Sequence, residues 1–565
     1  MIIQALNELY GRLKDIPDEN IPLSGFSREK VQFAFVLSPT GKLLQVNDLR
    51  DEKKSAKQLI VPESVKRSVN IEANFLCDST SYVLGRDNKG KPVRAKETFQ
   101  ACKELHHEIG NGINDAGMKA VLSFLDRWEP EGLEKSLCWP FWEGLSGMKI
   151  VFILDGEKRY VHESPEVKRA WLEYRYGRKS EYRAFCLVSG KKSGIARLHK
   201  GIKGVFNPGF AEGDIVSFNE KAFCSYGKDQ SYNAPVSEEA MFNYTTALNH
   251  LLRRESRQKV QIGDATTVFW AEGETPIAGF LKDILDPRET SPDVNWLKIF
   301  FEALREGKMP IEEETDGLKF YILGLAPNAK RLSVRFWYVS TVKDIKSRIA
   351  QHFTDLGIQR EFEDKQLEFP GMWQLLHVTA AQGKTENISP ILAGAFMRAI
   401  VMGNSYPAGI FTATLERIRA EQYIGYLRAS IIKACITRNN RLFKRAKREV
   451  GMALDREQKD IGYLLGRLFA VLEKAQKDAI PGANTTIKDR FYGSASATPS
   501  VVFPQLMRLA QHHIQKSAYG VNIEKMLGEI TADIQAFPTH LALEEQGMFA
   551  LGYYHQKQDF YKKTE

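Results

Sequence analysis

The chain has 565 residues, of which 43% are hydrophobic and 26% charged, and its formal net charge is +9. This composition excludes an intrinsically disordered protein, and the length predicts two to four folded domains. No run approaches the ~18 apolar residues that a membrane-spanning helix requires, and the N-terminal segment MIIQALNELYGRLKD lacks the pattern of a secretory signal. Six scattered cysteines without a C-x-x-C pair predict reduced, buried thiols. We therefore expect a cytoplasmic protein with no membrane partner.

The first part of the chain predicts a mixed α+β domain. Its N-terminal segment has apolar residues at helical spacing, short strand-like runs follow at 31–37 and 82–84, and a helix is expected near 118–128. Glycine, proline and tryptophan then crowd together at 139–147, which indicates a boundary. We therefore expect a first domain at residues 1–145.

The middle of the chain alternates between strand and helix patterns. MKIVFILDG is an apolar run of the buried-strand type, and residues 238–254 have the three-to-four spacing of a helix. Residues 320–325 and 332–339 flank the turn APNAKR, which predicts a β-hairpin. Residues 146–388 are therefore predicted to form a second α+β domain.

After residue 389 the segments follow a helical period, as in LERIRAEQYIGYLRASIIKACI and REQKDIGYLLGRLFAVLEKAQKDA. The predicted fold class is therefore α+β in the N-terminal and middle regions, followed by an all-α helical bundle at 389–565, in a multidomain chain.

Most of the excess positive charge lies in one segment. Residues 411–451 contain ten Lys or Arg against three Glu, whereas thirteen basic residues balance thirteen acidic ones from residue 452 onward. Four arginines at helical spacing would form one stripe on a single helix, flanked by two lysines: Arg438, Arg441, Arg445 and Arg448, with Lys444 and Lys447. A stripe of guanidinium groups matches the phosphates of a nucleic-acid backbone. The alternative is a solvated helix face.

Two patterns suggest chemistry but fail on inspection. Gly85–Pro92 has the G-x-x-x-x-G-K spacing of a phosphate loop, yet Pro92 replaces the required Ser or Thr and no helix start is evident, so a glycine-rich hairpin turn is predicted. The pairs His106/His107 and His512/His513 point about 100° apart on a helix, which suits core histidines better than a shared metal ion. We expect no catalytic residue, metal or cofactor.

Two polar segments are candidates for binding. In VKRSVNIEANFLCD, Lys66 and Arg67 could hold phosphate while the amides of Asn70 and Asn74 contact base edges in a groove. Alternatively, Asn74 only turns the chain before a buried strand. The loop at 225–238 could present Gln230 or Asn233 to a nucleic acid or a protein, or be a surface loop with local hydrogen bonds.

Five blocks, in order along the chain, resemble one known family. The most informative is NTTIKDRFYGSASATPSVVFPQLMRLAQHH at 484–513, interpreted as a polar loop containing Gly493, Ser494 and Ser496, a break at Pro499 and an apolar helix. The other blocks lie at 214–252, 74–85, 320–337 and 466–476. Together they resemble the large subunit of type I-C CRISPR effector complexes, the Cascade particles of the Csd/Dvulg subtype.

The resemblance implies a non-catalytic subunit that binds the protospacer-adjacent motif (PAM) in duplex DNA through its N-terminal, guide-end region. It implies that the chain supports strand separation and R-loop formation and serves antiviral defence. The partners implied are the CRISPR RNA, target double-stranded DNA, a backbone subunit, a guide-end-binding subunit, a small subunit, a nuclease-helicase and phage anti-CRISPR proteins.

The resemblance also implies that the small subunit is translated from an internal start within this gene. Residues 452–565 have the size and helical character of that product. Four basic residues of this segment are then expected to contact the displaced DNA strand: Lys488, Arg490, Arg508 and Lys516. Two other functions stay open from the residues: a metal-dependent nucleic-acid-processing enzyme using the histidine pairs, and a purely architectural subunit that binds guide RNA.

Overall fold

The computed structural model describes most of the chain. The described residues are 2–16, 21–65, 67, 70–86, 90–177, 182–207, 209–262, 265–275, 277–278, 281, 302, 315–445 and 450–561. The chain divides into two units, Met1–Lys203 with Ala211–His250 and Gly204–Phe210 with Leu251–Glu565. The expected boundary near 145 falls within the first unit and that near 388 within the second, so the finer division into three domains stays a prediction.

The first unit contains ten strands and seven helices among its described residues. The strands are β1 Phe26–Val31, β2 Phe33–Leu37, β3 Leu43–Asp48, β4 Lys57–Pro62, β5 Asp78–Ser79, β6 Lys149–Leu154, β7 Arg183–Phe185, β8 Lys192–Gly194, β9 Ile202–Lys203 and β10 Glu212–Gly213. The helices are α1 Ile2–Leu13, α2 Thr80–Val83, α3 Pro92–Gly110, α4 Ala116–Arg127, α5 Trp142–Leu145, α6 Pro165–Gly177 and α7 Glu238–Leu251, whose last residue belongs to the second unit.

A four-stranded sheet in the order β3-β2-β6-β5 forms the centre of the first unit. The central strands β2 and β6 run parallel, and the outer strands pair antiparallel with them. Alternation along the strands sends Phe35 and Phe152 to one face, where they pack with Phe124 of α4, and Ala34 and Val151 to the other. Both faces of the central strands are therefore buried, which explains their continuous apolar sequences.

The second unit contains a sheet followed by helices. Its strands are β11 Lys259–Ile262, β12 Ala265–Ala271, β13 Lys319–Asn328 and β14 Arg331–Thr341. Its helices are α8 Val342–Leu356, α9 Met372–His377, α10 Pro390–Met402, α11 Ala408–Glu421, α12 Tyr426–Phe443, α13 Ile461–Ala479, α14 Ile487–Ala497, α15 Pro499–Lys516, α16 Gly520–Thr531 and α17 Leu543–Phe560. None of the described helices combines the length and apolarity that crossing a bilayer requires.

The strands β11 to β14 form an antiparallel meander, and one face of it packs on α8. Phe269, Phe320 and Ile322 contribute to a core shared with Ile345 and Ile349 of that helix. Thr341 caps α8, because its hydroxyl accepts a hydrogen bond from the amide of Asp344 at 3.1 Å. The hairpin predicted at 320–339 is confirmed as β13 and β14.

The helices α13 to α17 form a bundle in which α13 contacts all four others. Glycine permits the closest of these contacts, between α13 and α17. A Cβ atom at Gly466 would collide with the carbonyl oxygen of Phe549, and one at Gly552 with that of Tyr463. The two backbones therefore touch, and the prediction of a helical region at 389–565 is confirmed.

Three local predictions are wrong. Residues 80–83 form the short helix α2 rather than a strand, and a helix, α3, does begin at Pro92, because proline suits the first position of a helix. Residues 87–89 of the predicted glycine-rich turn lie outside the described residues. Residues 493–496 belong to α14 and not to a polar loop. Thr486 and Asp489 explain the last case, since the Asp489 carboxylate accepts a 2.6 Å hydrogen bond from the Thr486 amide in a capping box.

Candidate nucleic-acid interface

The N-terminal candidate segment is anchored by an arginine–aspartate pair. Arg67 donates from Nη1 to Asp78 Oδ1 at 3.0 Å and from Nε to the carbonyl of Glu72 at 2.6 Å, and its guanidinium lies 3.8 Å from the ring centroid of Tyr82. Burial raises the pKa of Asp78, and the charge of Arg67 opposes that rise. Arg67 is therefore committed to holding the loop, and its remaining exposure is small.

Asn74 also stabilises this loop by hydrogen bonds. Its side-chain oxygen accepts a hydrogen bond from the amide of Val65 at 3.0 Å, its own amide donates to Asp78 at 2.8 Å, and the residue is 5% exposed. The expectation that Asn74 contacts base edges is therefore not supported, because its amide faces the protein. The alternative, a turn before a buried segment, fits the geometry.

Asn70 differs from Asn74, since it lies exposed at a bend of the same loop. Lys66 lies outside the described residues. Among the three described residues expected at the PAM, Asn70 is exposed, whereas Arg67 and Asn74 are hydrogen-bonded to other parts of the loop.

The predicted arginine stripe does not exist as one exposed helix face. Arg438 is 1% exposed and donates to Asp355 at 3.0 Å and to the carbonyls of Ala399 and Asn404 at 3.2 and 3.3 Å. Its guanidinium also lies 4.0 Å from the ring centroid of Tyr406. Arg438 and Arg441 both lie on α12, but the helix turns Arg438 into the core.

The other stripe residues diverge as well. Arg441 binds both carboxylate oxygens of Asp355 at 2.7 and 2.8 Å, which raises the pKa of Arg441. Helix α12 ends at Phe443, and Lys444 adopts φ 52° as its C-cap. Arg445, beyond the helix, is exposed and lies 3.2 Å from Glu544. Lys447 and Arg448 lie outside the described residues, so among the described members Lys444 and Arg445 are the ones that remain exposed for a phosphate.

The four residues expected at the displaced strand lie on two adjacent helices. Lys488 and Arg490 are in α14, and Arg508 and Lys516 are in α15. Arg490, Arg508 and Lys516 are exposed, whereas Lys488 is half-buried. The sequence of α15, PSVVFPQLMRLAQHHIQK, contains no acidic residue, so its exposed face is positively charged. Leu509 is 39% exposed on this helix.

In the loop at 225–238, the side-chain amide of Asn233 is hydrogen-bonded within the loop. The Asn233 side chain accepts from the amide of Ser225 at 2.8 Å and donates to the carbonyls of Lys228 and Gln230 at 3.1 and 2.9 Å. Gln230 is half-buried. The alternative of a surface loop with local hydrogen bonds is therefore the one that the geometry fits.

Of the two histidine pairs, His106 is a core residue as expected, whereas His107 and His513 are half-buried and His512 is exposed. Both ring nitrogens of His106 are used, because Nε2 accepts from the amide of Leu76 at 3.0 Å and Nδ1 lies 2.7 Å from the carbonyl of Cys102. Burial lowers the pKa of His106 to about 4, so the ring is neutral. Within the described ranges, no three His, Cys, Asp or Glu side chains are grouped to hold a metal ion.

Comparison with known families identifies the chain. The family described as CRISPR-associated protein (Cas_Csd1) matches residues 6–561. A search of the curated proteins finds no match. Because the family match spans nearly the whole chain, this protein belongs to the Cas_Csd1 family of CRISPR-associated proteins, and it is a Cascade subunit, the large subunit of the Csd type.

The sequence did not reveal the residue that organises the basic segment. Asp355 lies on the buried face of α8 and binds two of the predicted stripe arginines. A single aspartate among the apolar positions of an amphipathic helix was the available signal, because such a residue requires a buried cation.

Proposed function

We propose that this chain is the non-catalytic large subunit of a type I-C surveillance complex. It recognises the PAM in duplex DNA, supports strand separation and R-loop formation, and recruits a separate nuclease-helicase. The family match across residues 6–561 carries the proposal. The partners are the CRISPR RNA, the target duplex, and the backbone, guide-end-binding and small subunits, with phage anti-CRISPR proteins as antagonists.

The loop between β4 and β5 supports PAM recognition by the N-terminal region. Arg67, Asn74 and Asp78 hold this loop by hydrogen bonds, and Asn70 projects from it into solvent. An exposed polar side chain next to these anchoring hydrogen bonds is available to contact base edges. From the sequence, Lys66 is expected to bind a phosphate of the DNA backbone near the PAM.

The assembled complex provides the test, with two duplexes that differ only in the PAM. Asn70→Ala should reduce the preference for the correct duplex by about 5- to 150-fold, the equivalent of ~1–3 kcal/mol for a lost base contact. Lys66→Ala should weaken both duplexes alike. Asn522→Ala, an exposed asparagine of α16, is the matched control and should change neither.

An unchanged preference in Asn70→Ala would reject this residue as a PAM contact. An equal affinity of the parent complex for both duplexes would reject PAM recognition altogether. Cleavage of DNA or RNA by the purified chain with magnesium, manganese or zinc would reject the non-catalytic assignment.

Residues 452–565 are proposed as the separately made small subunit, and α14 and α15 as the surface facing the displaced strand. The bundle α13–α17 packs around α13, and its apolar residues continue into the hydrophobic core that contains α8 and α12. Arg490, Arg508 and Lys516 are exposed there. The surface formed by α14 and α15 carries these cations, and α15 has no acidic residue. Such a surface suits sequence-independent contact with phosphates.

A further inference from the structure

The hairpin formed by β7 and β8 presents apolar and basic side chains to solvent on one face. Arg183, Phe185 and Leu187 alternate with inward-facing residues, and Cys186 between them is buried. Lys192 lies directly opposite Phe185 in the antiparallel pair, and therefore on the same face. Phe185 and Leu187 are 67% and 66% exposed, which is unusual for large apolar side chains on a short ribbon.

A second exposed ring belongs to the loop that packs against the base of this hairpin. The rings of Tyr182 and Tyr232 lie 4.5 Å apart, and the amide of Leu187 donates to the carbonyl of Pro235 at 2.9 Å. Tyr226 in this loop is 99% exposed at φ 53°, a conformation that is costly for an aromatic residue. The three hydrogen bonds of Asn233 hold the loop in this conformation.

The charge of this surface is strongly positive. Residues 182–199 and 225–237 contain five Lys or Arg and one acidic residue, Asp229, which lies 3.2 Å from Arg197. Arg183, Lys191 and Lys192 are exposed, and within the described part of the chain none of them pairs with a carboxylate. Three exposed cations without counter-charges therefore lie on this hairpin, and two of them, Arg183 and Lys192, share the face of Phe185.

We propose that this surface, the hairpin patch (Arg183, Phe185, Leu187, Lys191, Lys192 and Tyr226), binds single-stranded nucleic acid without sequence preference. Exposed rings stack on bases while neighbouring cations neutralise phosphates, which is the combination that single strands require. A duplex keeps its bases stacked on one another, so the rings would have no partner. Protein interfaces are depleted in lysine, whereas Lys192 lies directly opposite Phe185 and Lys191 is exposed next to Lys192 in sequence, so a protein partner fits less well.

The proposal is independent of PAM recognition, because it concerns another surface and another ligand. Fluorescence anisotropy of the full-length chain with a labelled twenty-nucleotide oligothymidylate tests it, alongside an abasic oligomer of equal length and an oligothymidylate·oligoadenylate duplex. Phe185→Ala should weaken binding of the oligothymidylate by about 5- to 150-fold and leave the abasic and duplex affinities unchanged. Lys191→Ala with Lys192→Ala should weaken binding of both single strands and reduce the log–log salt slope by about 1.4.

Phe362→Ala is the matched control, since Phe362 is 60% exposed but lies in an acidic segment of the second unit. It should not change any affinity. Photocrosslinking with a 5-iododeoxyuridine oligomer should give adducts on the peptide containing Phe185 or Tyr226. The proposal is overturned if the chain does not bind the oligothymidylate, if Phe185→Ala binds it like Phe362→Ala, or if all adducts lie elsewhere. Loss of complex assembly with unchanged oligomer binding would identify a protein interface instead.

Discussion

The guanidinium of Arg438 lies 3.0 Å from the carboxylate of Asp355, and both side chains are almost completely buried. Arg441 binds the same carboxylate from the edge of the core at 2.7 Å. This arrangement connects α12 to α8 and uses two residues of the segment with the highest positive charge for stability. The positive charge of that segment therefore overstates its capacity to bind a polyanion.

Removing the buried cation should destabilise the second unit. Arg438→Ala removes the buried cation and its hydrogen bonds to Ala399 and Asn404, and leaves Arg441 as the remaining arginine partner of the buried Asp355 carboxylate. We therefore expect a loss of ~1–3 kcal/mol in the free energy of unfolding. Arg445→Ala is the control, and because its pair with Glu544 is exposed it should cost less than ~1 kcal/mol. Chemical denaturation measures both. If Arg438→Ala unfolds with the same free energy as the parent but binds nucleic acid more weakly, Arg438 belongs to the nucleic-acid interface after all.

The exposed remainder of the basic segment should contribute affinity without sequence preference. Lys444→Glu with Arg445→Glu should weaken binding of the assembled complex to nucleic acid and flatten the dependence of log affinity on log salt, since fewer counterions are released. Lys343→Glu with Lys365→Glu, two exposed lysines elsewhere in the second unit, provides the comparison. Equal salt slopes in the parent complex and the Lys444/Arg445 variant would show that these cations face solvent and do not contact the nucleic acid.

Two buried histidines should make the second unit sensitive to acid. His352 lies 2.6 Å from the hydroxyl of Tyr406 and His555 lies 2.9 Å from that of Tyr463. Burial lowers the pKa of His352 to about 3 and that of His555 to about 4. The unfolded chain takes up protons below about pH 6.5 while the folded chain does not, so stability is highest above that pH and falls toward pH 4.

The expected slope is up to ~1.4 kcal/mol per pH unit for each histidine, measured by urea unfolding between pH 7.5 and 5.0. His352→Gln removes one titrating group and should reduce the slope. His512→Gln, at an exposed position, should leave it unchanged. A slope that is the same in the parent and in His352→Gln would show that His352 is protonated in the folded chain.

The glycine contact between α13 and α17 should tolerate no side chain. Gly466→Ala forces the two helices apart, and we expect a loss of at least ~1–3 kcal/mol from overpacking. Gly493→Ala is a matched control, because Gly493 lies within α14 with open space around its Cα. That change should stabilise the helix by up to ~1 kcal/mol. Similar melting temperatures for both variants would contradict the close contact.

Expression of the intact gene should yield two products, one of 64.1 kDa and one with roughly a fifth of the residues. Replacing the Met452 codon by a codon that cannot start translation should abolish the smaller product. An unshifted small band in that variant would place the start elsewhere. The absence of a small band from the parent gene would mean that α13–α17 serve only as part of the large subunit.

The sequence alone determined the elements whose signals are local. Helical periodicity predicted the region after 389, and two apolar runs around APNAKR predicted the hairpin of β13 and β14, because these patterns depend on neighbours within one turn or one strand pair. The five family blocks likewise identified the class of protein before any contact was known, and the match over 6–561 confirms it.

Only the tertiary structure decided which polar and charged residues are available. Asn70 and Asn74 are four residues apart and chemically identical, yet Asn74 is 5% exposed and bonded to Val65 while Asn70 is exposed. Arg438 and Arg445 share a predicted stripe, but Asp355, 83 residues before Arg438, binds only the first. A side chain's partner far along the chain has no local sequence signal, so burial and pairing emerge only when the helices and strands pack together.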